Sequence, residues 1–120
     1  MTARYDFKLN QGTDLTVPFF LTDESGKALN LSGFSAQMQL RSNSYTGNLV
    51  DTLTSENKGI ILDGDVGSLT VVFVHEKTEA YPATALVYDI ELISPSNLIT
   101  RVVEGRIAVS PEVTRVSAGD

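Results

Sequence analysis

The chain has 120 residues, enough for one domain with a buried core and too few for a second one. It contains no cysteine, which removes disulfides, thiolate metal sites and a cysteine nucleophile together and suits a reducing compartment. A formal charge of −6, with nine Lys and Arg scattered along the chain, argues against a grip on nucleic-acid phosphates, and no apolar run approaches the roughly 20 residues that span a bilayer. The opening MTARYDFKLN also lacks the apolar stretch of a signal peptide, so a soluble protein that is not exported by the usual route is expected.

Tyr5, Phe7 and Leu9 alternate with Asp6, Lys8 and Asn10, the period of a half-buried first strand. In TDLTVPFFLT, Leu15, Val17, Phe19 and Leu21 share a face, and Pro18, which has no N–H, confines this strand to an edge or a bulge. DESGKALNLSG is rich in turn formers and is expected to be a loop anchored by Leu29 and Leu31. FSAQMQLRS points Phe34, Ala36, Met38 and Leu40 inward. After the polar SNSYTGN comes a short strand in LVDTLT. GIILDGDVGSLTVVFV then reads as a hairpin turning in DGDVG, where Asp-Gly supplies the backbone angles of a tight turn.

HEKTEAYP fits a single helical turn stopped by Pro82. ALVYDIELI sets Leu86, Tyr88, Ile90 and Leu92 on one face. SPSN turns the chain into a long last strand carrying Ile99, Val103, Ile107 and Val109. Arg101 falls in phase with that inner set, which requires either a bulge or a place at the rim. Seven or eight short strands with turn signals between them predict an all-β antiparallel sandwich over residues 1–120, with a frayed tail at about 116–120.

No constellation of catalytic residues emerges. His75, with Glu76 and Glu79, lacks the second histidine of a zinc-protease helix and is expected to lie in a solvated loop. Asp63 and Asp65 lack the further ligands of a calcium loop and fit a hairpin turn. No nucleophile elbow accompanies the single imidazole, and Asp89 and Glu91 alternate on an outward strand face. No metal, no cofactor and no enzymatic activity are therefore expected. The candidate functional residues are those of an interface. Thr100, Glu104 and Arg106 are placed on the outward face of the last strand, where they meet a neighbouring strand or another subunit. Tyr45 is either an interface anchor or a ring folded back over the rim.

Three stretches, D-x-x-G-x-x-x-x-L-x-G from Asp23 to Gly33, D-G-D-x-G from Asp63 to Gly67, and Y-D-I-E-L from Tyr88 followed by E-G-x-I-x-V-S-P-E-V-T-R from Glu104, carry a resemblance in their order. The chain from about Tyr5 to Arg115 is similar to the small immunoglobulin-like structural proteins of tailed bacteriophage particles, in particular the N-terminal domain of baseplate upper proteins. It departs from them at Thr84, Ala85 and Leu86, where relatives often carry a glycine. The resemblance implies an immunoglobulin-like sandwich in the virion (tail, baseplate, neck or capsid surface), made in the host cytoplasm. Its implied partners are other virion proteins and copies of itself, while the charge balance and the lack of a long apolar run lead us to expect neither nucleic acid nor membrane. A receptor- or glycan-binding module is the alternative, and would need exposed aromatic platforms.

Overall fold

A computed structural model describes residues 2–114; the tail expected at about 116–120 lies outside the described residues. Nine strands and one helical turn follow in chain order: β1 Ala3–Arg4, β2 Phe7–Asn10, β3 Leu15–Phe20, β4 Ser35–Ser42, β5 Leu49–Thr54, β6 Ile60–Asp63, β7 Ser68–Phe73, α1 His75–Thr78, β8 Ala85–Ile93 and β9 Ile99–Ser110. They form two sheets. The larger runs β1-β9-β8-β4-β5, with β2 also on β9, and the smaller runs β3-β7-β6. Period-2 alternation explains why the sheets pack face to face. Met38, Leu40, Leu86, Ile90, Val103 and Ile107 of the larger sheet and Val17, Ile60, Leu69, Val71 and Phe73 of the smaller one are all buried in a single core. Pro18 sits on β3, an outer strand of the smaller sheet, as its missing donor requires.

The pairing is antiparallel except at the chain's start, where β1 and β2 both run parallel to β9. The expected first strand is thus split in two, and Tyr5 at the break is exposed. The break has a local cause. Tyr5 donates its N–H to the Glu104 carbonyl at 2.9 Å, and the Asp6 carboxylate, in place of a backbone carbonyl, accepts the Arg106 N–H at 2.8 Å. Gly105 makes this approach possible, because a Cβ there would stand 1.9 Å from the Tyr5 carbonyl oxygen.

A bulge settles the phase of Arg101. Ile90 pairs with Val103 but Glu91 pairs with Arg101, leaving Val102 unpaired. Arg101 consequently faces outward with Glu91. Thr100 pairs with the inward Leu92 and so belongs to the opposite face from Glu104 and Arg106, which corrects the expectation that all three share the outer face. Ile99, expected inside, pairs with Ile93 beyond the core and is 60% exposed.

The β6–β7 connection is also longer than a two-residue turn. It spans residues 64–67, and Gly67 (φ 67°), not Gly64, takes the positive φ. Two polar clasps close the end that holds α1. The buried Thr78 hydroxyl accepts the Thr13 N–H and donates to the Thr13 carbonyl, and the Tyr81 hydroxyl donates to Asp51 Oδ2 at 2.5 Å.

Candidate outer-face docking site

On the outer face of the larger sheet, residues far apart in sequence fall into three rungs across β4, β8 and β9. They are Arg41–Val87–Arg106, Gln39–Asp89–Glu104 and Gln37–Glu91–Arg101. Together with Arg4 and Tyr45 the first two rungs and Arg101 line an open trough of about 740 Å³. Three of the four interface candidates, Tyr45, Glu104 and Arg106, are therefore brought together; Thr100 is not among them.

Tyr45 does not fold back over the rim. It is 84% exposed, at the tip of a turn fastened by the Ser42 N–H to the Asn48 carbonyl, the Gly47 N–H to the Ser44 carbonyl, and the Arg41 guanidinium to the Gly47 carbonyl at 3.2 Å. Arg41 thus ties the Tyr45 turn to the first rung.

The charges of the trough are unevenly satisfied. Arg101 reaches Asp89 Oδ2 at 3.3 Å and Glu104 Oε1 at 3.4 Å, and Arg4 reaches Asp6 at 3.3 Å. Burial pushes the Asp89 carboxyl above its ordinary value, the Arg101 charge opposes this, and Glu91 and Glu104 add to it. Among the described residues, the guanidinium groups of Arg41 and Arg106 have no carboxylate within ion-pairing distance. Four arginines against two carboxylates make the lining net +2 on a chain of formal charge −6, which leaves −8 for the rest of the chain.

Elsewhere, His75 pairs with a residue that the sequence reading did not connect to it. Its Nδ1 lies 3.1 Å from Asp14 Oδ1, which also accepts the His75 backbone N–H at 2.7 Å, and its Nε2 lies 3.4 Å from Glu76. Asp14, His75 and Glu76, all exposed, each offer a ligand atom within 4.8 Å of the others, a spacing that could hold a metal ion, although exposed acidic groups commonly cluster in this way without one. In the β6–β7 turn, Asp63 accepts the Asp65 N–H at 3.2 Å. The smaller sheet's outer face carries Phe20 and Ile61, 71% and 55% exposed, which alternation alone had assigned no role.

No family model matches the chain, and no curated protein matches it. A crystal structure of a chicken TCR is similar in fold, with 15% identity, a TM-score of 0.50 and 96% of this chain covered. The fold is immunoglobulin-like. This chain spans about half of that neighbour's length, 56%. At such identity the likeness concerns the arrangement of the sheets alone.

Proposed function

We propose that this protein is a non-enzymatic structural component of a tailed-phage particle, held in place by protein–protein contacts through the outer face of its larger sheet. The observation that carries the reading is the trough. It combines a rigid floor of paired strands, an aromatic held out into solvent on a fastened turn, and two arginines without carboxylate partners among the described residues. Arginine and tyrosine are the side chains that most often anchor protein interfaces, and a guanidinium recognises a partner's carboxylate by geometry as well as charge. The ordered motifs from Asp23 to Gly33, Asp63 to Gly67 and Tyr88 to Arg115 favour the virion as the setting.

The immunoglobulin-like fold suits this reading and the alternative of a receptor- or glycan-binding module equally. The trough favours the first, because among the described residues Tyr45 is the one exposed aromatic lining it and does not by itself make the stacked platform that sugar rings need. Mass spectrometry of particles purified from the host that carries this gene tests it. The chain is expected among the virion proteins at a reproducible copy number. Its absence from particles, with the protein abundant in the lysate, would overturn the assignment.

A further inference from the structure

Arg41 gives its guanidinium N–H groups to the Gly47 carbonyl and to Gln39 Oε1, yet among the described residues neither it nor Arg106 has a carboxylate partner, and the other end of the same domain carries two exposed carboxylates. β4 begins at Ser35, paired with Ile93 next to the turn whose Pro95 lies against Gly33, and delivers Tyr45 beyond its far end. The tip of the β6–β7 hairpin lies at the first of these ends, since Gly64 packs on Ser32 and Gly67 on Leu21 and Leu29. That tip holds Asp63 and Asp65, both exposed, and Val66, 51% exposed; Phe20, 71% exposed, is beside it through its pairing with Ser68.

The two surfaces are complementary. Arg41 and Arg106 stand on strands either side of Val87, so their backbones are two strand spacings, about 9.5 Å, apart. Two exposed carboxylates two residues apart on that turn could each reach one guanidinium, leaving Val66 and Phe20 available to Val87 and Tyr45. The net +2 of the trough against −8 for the remainder of the chain favours such a contact over trough against trough.

We infer that the trough receives the Asp63–Val66 hairpin tip of a second copy of this chain, making a head-to-tail contact. The inference names the partner of the docking face proposed above and rests on that reading. Because the two surfaces differ and lie at opposite ends, the contact is heterologous: it propagates into a ring if the rotation closes and into a filament if it does not. Attraction between guanidinium and carboxylate at an exposed site also makes it sensitive to salt.

Sedimentation velocity of the purified full chain tests this, at about 0.1 M and about 1 M salt, between which the Debye length falls from about 10 to 3 Å. The wild-type chain is expected to grow in mass with concentration at the lower salt and to return to monomer at the higher. Arg106→Glu and Asp65→Lys, at opposite ends, should each weaken association by at least about tenfold. Both should keep the wild-type denaturant midpoint within error. Mixed together, the two should co-assemble, because the trough of the Asp65→Lys chain takes the tip of the Arg106→Glu chain and the exchanged charges of the remaining trough and tip are again complementary. The doubly substituted chain, with the charges exchanged, should regain assembly.

A wild-type chain still monomeric at about 1 mM would overturn the inference. So would variants that associate as the wild type does, or loss with Arg106→Glu but not with Asp65→Lys. Incorporation into particles that depends on Arg106 without any self-association would also overturn it, assigning the trough to a different virion protein and leaving the docking reading intact.

Discussion

The hydroxyl of Tyr88 donates to the carbonyl oxygen of Tyr5 at 2.5 Å, across the one position of β9 that has no side chain, Gly105. This contact fixes the break between β1 and β2 to the centre of the larger sheet. Burial pushes the Tyr88 phenol far above its ordinary value, so it stays a donor at any pH the fold experiences. Tyr88→Phe should cost about 0.5–1.5 kcal/mol through the lost hydrogen bond. Gly105→Ala should cost more, about 1–3 kcal/mol, because the new methyl meets backbone and not a movable side chain. Urea unfolding of both variants checks the order; a Gly105→Ala protein as stable as the wild type would mean that the first strand does not lie where it is described.

The register of the long hairpin gives a second test. Ile90 is fully buried and opposite Val103, whereas Glu104 faces outward opposite Asp89. Ile90→Ala should therefore cost about 2–5 kcal/mol in lost burial and a residual cavity. Glu104→Ala should cost about 0.5 kcal/mol or less, since Arg101 keeps Asp89 as a partner. The reverse order of denaturant midpoints would exchange the inner and outer faces.

The clasp between Asp14 and His75 predicts a pH dependence. Hydrogen bonding to Asp14 raises the His75 imidazole above its ordinary 6.5, so its contribution is complete below 6.5 and lost as pH rises through the raised value. The His75 backbone N–H, followed by its side chain, lowers Asp14 below its ordinary 3.8, so that contribution is present above 3.8 and lost as pH falls through the lowered value. His75→Ala should consequently lose stability relative to the wild type between these limits, with the difference narrowing above neutral pH. Asp14→Ala should be the more damaging change, because Asp14 also caps the N–H at the start of α1. Thermal melts across pH check both; a pH-independent difference for His75→Ala would show that the ring is not paired.

Alternation made β3, β4, β7 and β8 legible in the sequence, because each has one face in the core and the other in solvent, and Pro18 marked its own strand as an outer one. What escaped depends on contacts between distant segments. The parallel pairing of Phe7 with Ile107 leaves no local signature, since nothing near either residue specifies the other. The phase of Arg101 allowed a bulge or a place at the rim, but the bulge's position at Val102, and with it the faces of Ile99 and Thr100, could not be read from β9 alone. Tyr45, Glu104 and Arg106 were legible as exposed polar-loop and outward-strand residues. Their assembly with Arg4, Arg41 and Arg101 into one trough was not, because strands β1, β4, β8 and β9 bring it about.

The proposed docking role of the outer face is tested most directly by incorporation into particles. Wild-type and Arg106→Glu chains, matched for stability and expression, would be supplied to a phage lacking its own copy, and the chain quantified by mass spectrometry in purified particles. The wild type should be retained at constant stoichiometry and Arg106→Glu reduced by about tenfold or more, the loss expected when an arginine anchor of an interface is reversed. Equal incorporation of the two would contradict the assignment of this face.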